Sequence, residues 1–125
     1  MSALAELARQ LRAEDTPIAG HVMEAIVSAD GPADEYALVM EAVREGYLLH
    51  YGESRLLDGH DPDLALLAGD YLYALGLDRL AATGDTEAVA VLSELISRCA
   101  QLHAEGRGAE VDPLWVEAER KIRAE

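Results

Sequence analysis

A chain of 125 residues is the size of one domain and can bury roughly two-thirds of its unfolded surface without disulfides or metal. Half of the residues are apolar, which excludes disorder, and 24 acidic against 10 basic side chains leave a formal charge of −14. That charge argues against nucleic acid and anionic lipid as partners, since both need a basic footprint. A lone Cys99 can neither close an internal disulfide nor anchor zinc by itself. Residues 1–15 mix charge with Leu and Ala, unlike a signal peptide. No run approaches the ~18 apolar residues of a membrane span, so the expected location is the cytoplasm.

Prolines and glycines punctuate the chain. Thr16-Pro17, Gly31-Pro32, Asp61-Pro62 and Asp112-Pro113 read as helix starts, because a first-turn proline gives up an N–H that would go unpaired there and the residue before it can cap. Gly31, Gly59, Gly84 and Gly106 read as stops. Six helical stretches follow in order, near 3–14, 17–29, 32–58, 62–83, 86–105 and 113–124. No window alternates β-branched residues with period two, and phenylalanine is absent. The expected fold is an all-α, compact antiparallel bundle of about six helices in a single domain, 1–125. Its core lies in 32–105, and residues 113–124 follow a Gly106–Gly108 hinge.

Two stretches differ instructively. In 86–105, Val89, Leu92, Leu95, Ile96, Cys99 and Leu102 share one side, with Asp85 as the expected N-cap. In 62–83, Leu64, Leu67, Tyr71 and Leu75 line one side while Leu66, Tyr73, Leu77 and Leu80 line nearly the opposite one. A helix apolar on both sides is either central or pressed against a second chain.

Asp70 falls among Leu66, Leu67, Tyr73, Ala74 and Leu77 and is expected to be buried. A buried carboxylate must be paired, hydrogen-bonded or protonated, so Asp70 reads as a structural group, with a ligand or catalytic role as the alternative. Gly69 and Gly76 form a small-residue strip whose cost of ~1 kcal/mol each in a helix interior calls for close helix approach. His50, flanked by Tyr47 and Tyr51 with Ser54 four residues on, predicts an inward polar seam: either satisfied core bonds or the lining of a tunnel or interface. No glutamate has a histidine three residues later, so a di-iron bundle fails, and no other metal site is expected. Nucleophile elbow, phosphate loop and dinucleotide fingerprint are all missing. No catalytic residue is assigned.

The segment Leu66-Leu67-Ala68-Gly69-Asp70-Tyr71-Leu72-Tyr73-Ala74 resembles the L-x-GD-x-L-x-A helix of trans-isoprenyl (polyprenyl) diphosphate synthases, which also precedes a short turn, here Thr83-Gly84-Asp85, and an amphipathic helix. Upstream, Ala42 to His50 is similar to the helix that ends just before that family's first aspartate-rich motif. The likeness spans roughly 32–105 and implies a truncated isoprenoid-synthase-like fold. Where catalytic members carry DDxxD after the histidine, this chain has Tyr51-Gly52-Glu53-Ser54-Arg55, and the Arg-Arg-Gly segment is missing. The resemblance therefore implies a noncatalytic small subunit of a heteromeric synthase. It would support the activity and product chain length of a catalytic large subunit, which would hold the magnesium, and this chain would need no cofactor of its own. By position, Gly46 and Tyr47 correspond to the residues that limit chain length. Two other readings stand beside it: a homo-oligomeric helical module binding a hydrophobic small molecule or peptide, and an enzyme working through His50, Asp70 and the tyrosines.

Overall fold

A computed structural model describes residues 2–23 and 34–123. The fold is all-α. Five α-helices are present among the described residues: α1 (Ala3–Ala13), α2 (Glu35–Tyr51), α3 (Pro62–Ala82), α4 (Thr86–Ala104) and α5 (Asp112–Arg123), with 3-10 turns at Ala19–His21 and Gly108–Glu110. No helix among the described residues is long and apolar enough to cross a membrane.

Capping chemistry explains where the helices begin. Ser2 accepts from the Ala5 amide, Asp34 from Ala37 at 2.8 Å, Asp61 from Leu64 at 2.7 Å and Asp85 from Ala88 at 3.0 Å. Each carboxylate or hydroxyl satisfies an amide that has no carbonyl within its own helix. Asp85 caps α4 as expected. At the other end of α4, Gly106 takes φ +75°, and the Arg107 amide reaches back to Leu102 O at 2.7 Å. This left-handed corner turns the chain towards α5.

The chain divides into two compact units, Met1–Gly76 and Leu77–Glu125. In the first, Leu4, Leu7, Ala8 and Leu11 of α1 meet Leu38, Ala42 and Leu49 of α2, with Leu56, Leu57, Ala68 and Leu72 completing the core. The second is a helical hairpin: Ala88, Leu92, Leu95, Cys99 and Leu102 of α4 and Trp115, Ala118 and Ile122 of α5 supply its buried side chains.

Two expected helices are corrected. The stretch 17–29 is not an α-helix over its described part. After the buried Ile18, the 3-10 turn gives way to extended backbone at Val22, which bridges Leu57 in antiparallel fashion. The Met23 amide donates to Leu56 O at 2.7 Å and the Asp58 amide to His21 O at 3.0 Å, so pairing across the chain replaces helical bonds. Residues 24–33, which include the rest of that stretch and the expected start at 32, lie outside the described residues. The helix expected over 32–58 ends at Tyr51, and Ser54 lies in the following loop instead of one turn beyond His50. Side-chain acceptors take the amides that would have continued the helix: Ser54 Oγ accepts from Leu56 and Leu57, both at 3.0 Å, and Glu45 accepts from Arg55 at 2.8 Å.

Candidate functional site

The site begins with backbones approaching closely. A Cβ on Gly46 would lie 2.9 Å from Gly69 O and 2.9 Å from Tyr73 Cδ1, and one on Gly76 would lie 2.5 Å from Val43 Cγ2. Gly46 of α2 and Gly69 and Gly76 of α3 thus mark a line where only hydrogen fits, which offsets their poor helix propensity. The small-residue strip is a packing surface, as expected.

Close approach changes which side of α3 is inside. Ala68, Gly69, Leu72 and Gly76 are buried, whereas Leu66 and Leu67 are 57% and 65% exposed. Of the two expected apolar stripes only Leu67 and Leu66 are exposed: Tyr71 and Leu75 are partly buried against the first unit's core, Leu64, Tyr73 and Leu77 are half-buried, and Leu80 is fully buried. The contact line runs between the stripes along the small residues, because two helices approach only where side chains are short. Asp70 is corrected in the same way. It lies on the open side of α3, with 65% of its side chain exposed, and is no core carboxylate.

His50 sits in the notch made by Gly69, where a Cβ would come within 2.4 Å of the ring. Its Nε2 lies 3.2 Å from Leu66 O and 3.2 Å from Asp70 Oδ1. Two acceptors at one nitrogen assign the proton to Nε2, which donates towards both. The ring meets Tyr73 edge-on at 5.2 Å and Tyr51 edge-on at 5.9 Å. Tyr51 in turn lies 5.2 Å from the buried Tyr47, whose ring also carries the Arg44 guanidinium at 5.8 Å. The structure therefore brings together Gly46, Tyr47, His50, Tyr51, Gly69, Asp70 and Tyr73. Gly76 lies farther along the same helix contact. Ser54 belongs elsewhere.

Ser54 serves a feature the sequence reading missed. Glu45 is fully buried and accepts from Ser54 Oγ at 2.6 Å, Arg55 N at 2.8 Å and Arg55 Nε at 2.6 Å. Arg55 Nη2 lies 3.1 Å from Glu41 Oε2 as an ion pair without hydrogen-bond alignment. Burial pushes the Glu41 carboxyl above its ordinary range, although Arg55 opposes the shift. This cluster fastens the 52–57 loop to α2. A signal was available, because Leu38, Ala42, Glu45 and Leu49 are spaced four, three and four apart, on one apolar helix stripe. His21 and His60 are both half-buried; His21 Nδ1 lies 3.0 Å from Asp58 O.

In the second unit an apolar groove of about 310 Å³ runs between α4 and α5 over Val91, Leu95, Leu114 and Ala118, with Glu94 and Arg98 on its rim. Chemically, the first site offers an imidazole-held carboxylate at the edge of an exposed apolar surface. That arrangement can accept a cation or a hydrogen-bond donor from a partner. Compared with family models, curated proteins and solved structures, the chain finds no match.

Proposed function

We propose that the chain is a noncatalytic small subunit of a heteromeric polyprenyl diphosphate synthase, docking in the cytoplasm onto a catalytic large subunit that holds the magnesium and does the chemistry. One observation carries this reading. The helix bearing the Gly-Asp segment keeps its glycines against α2 and leaves Leu66 and Leu67 open. Leu66 and Leu67, with Tyr51 beside them, leave apolar side chains grouped on one face, and grouped apolar area is what interaction sites expose. Further support comes from the segment standing where catalytic members carry their metal-holding acids. Its Ser54 and Arg55 are engaged by Glu45 and hold the loop in place.

Co-expression with full-length trans-isoprenyl diphosphate synthases tests the proposal. A stable complex whose prenyl transfer requires both chains, with product length altered by Tyr47→Ala, is the expected result. No complex and no effect on prenyl transfer would overturn it.

The groove between α4 and α5 favours a second reading, in which a homo-oligomeric helical module takes a hydrophobic small molecule or peptide. Its apolar floor and volume of about 310 Å³ fit the lower end of ordinary ligand sites. A homodimer with no influence on prenyl transfer is the outcome that selects it.

A further inference from the structure

The exposed side of α3 in the first unit has a regular charge pattern. Asp63, Leu66, Leu67, Asp70 and Ala74 are all exposed, so two leucines are bracketed by carboxylates seven residues, or two turns, apart. Between Arg55 and Arg79 the sequence has neither Lys nor Arg. Asp63 has a local explanation in the first helical turn, where a negative charge suits the helix dipole. Asp70 lies in the third turn, beyond that effect, and aspartate is a poor residue for a helix interior. His50 Nε2 reaches Asp70 Oδ1 at 3.2 Å, and 65% of the Asp70 side chain remains open. Tyr51, 40% exposed and edge-on to His50, extends the apolar area on the α2 side.

We infer that this face takes a basic amphipathic helix of a different chain, whose Lys or Arg side chains meet Asp63 and Asp70 while its apolar residues cover Leu66, Leu67 and Tyr51. Charge decides against a second copy. The same face on another copy would bring carboxylates to carboxylates, and residues 1–76 carry fourteen acidic against four basic side chains. His50 is a positioning residue, because its N–H holds the Asp70 carboxylate at the edge of the leucine pair. The inference deepens the partner reading above and rests on it only in taking the partner to be another protein.

The test uses the full chain and synthetic helical peptides in which two leucines are bracketed by Lys, Gln or Glu at seven-residue spacing, followed by fluorescence anisotropy. The Lys peptide is expected to bind, and more weakly as salt rises. The Gln peptide should bind roughly tenfold less tightly, and the Glu peptide not at all. Asp63→Asn with Asp70→Asn should bring the Lys peptide down to the level of the Gln peptide. Leu66→Ser with Leu67→Ser, which leaves the net charge unchanged, should abolish binding. Circular dichroism checks that both double variants keep their helix content. Wild-type affinity in the serine variant would mean diffuse attraction to an acidic protein and would overturn the inference. So would equal affinity for the Lys and Gln peptides, or self-association of the wild type that the serine variant loses. A synthase that binds the serine variant as it binds the wild type removes this face while the proposed function stands. Peptide binding as expected, with no synthase complex, does the reverse.

Discussion

Residues 1–76 and 77–125 deal with acidity differently. The first unit has fourteen acidic and four basic side chains, the second ten and six. In the first, a carboxylate is taken into the core: Glu45 is fully buried and accepts three hydrogen bonds from the 54–55 segment. In the second, charges pair locally on the surface, Arg107 with Glu110 at 2.7 Å and Arg120 with Glu117 at 2.6 Å, both three residues apart. Glycines serve two purposes in both units. Gly46, Gly69 and Gly76 give space, whereas Gly84 and Gly106 give positive φ where an added Cβ would meet nothing within 4 Å. Gly59 of the first unit also takes positive φ, and Gly108 of the second gives space, since a Cβ there would lie 2.5 Å from the His103 ring. Both units pack one helix against another, but only in the first is a carboxylate buried between a helix and a loop segment; in the second these ion pairs stay within one helical turn.

Breaking the buried carboxylate gives the largest expected effect. Glu45→Ala should cost about 3 kcal/mol, since removing one partner of a buried pair leaves its donors unsatisfied. Chemical denaturation measures the loss. Hydrogen exchange should locate it at Met23 and Asp58, whose amides pair across residues 19–23 and 56–58, while α4 amides keep their protection. Equal loss of protection in both units would erase the contrast.

Gly46→Ala should cost about 2 kcal/mol by overpacking, because the new methyl would meet the Gly69 carbonyl as well as a movable ring. Gly106→Ala should cost about 1 kcal/mol, from backbone strain alone. Thermal midpoints of the two variants measure the difference between space and conformation.

Tyr71 sharpens the comparison through pH. Its hydroxyl donates to Glu14, and that bond together with burial pushes its pKa up to about 12. The folded state holds this proton more tightly than the unfolded chain, whose tyrosine titrates near 10. The stabilisation is therefore complete below about pH 10 and is lost as pH rises towards 12. Tyr71→Phe should lower stability by about 1 kcal/mol at neutral pH and flatten the alkaline part of the denaturation profile.

The smallest effect is expected at Glu41. Its carboxyl is raised mainly by burial, with Arg55 opposing, so the charged form is the costlier one in the folded state. Glu41→Gln should stay within about 0.5 kcal/mol of the wild type at neutral pH, as mixed desolvation and pairing contributions nearly cancel. Its contrast with Glu45→Ala, on the same helix one turn away, separates a partly exposed ion pair from a buried hydrogen-bonded anchor.

Much of the fold was legible in the sequence because its causes are local. Asp85 capping α4, Asp61-Pro62 opening α3 and the apolar side of α4 each depend on residues within a few positions. The helix expected over 17–29 failed at its described end because the amides of Met23 and Asp58 pair more than thirty residues apart in sequence. At the candidate site, the nearness of His50 to Tyr51 followed from helical spacing, but the expected inward seam is only partly inward: Tyr47 is buried while Tyr51 is 40% exposed. Ser54 did not follow that spacing, since Glu45 draws it into a loop.

The sequence by itself determined that the chain is helical, where most helices start, and that three glycines of α2 and α3 lie inside helices. Tertiary structure alone decided which side of α3 faces inward. A helix apolar on two sides has no intrinsic inside. The close approach at Gly46, Gly69 and Gly76 settles the matter by admitting only hydrogen at the contact, which leaves Leu66, Leu67 and Asp70 facing outward.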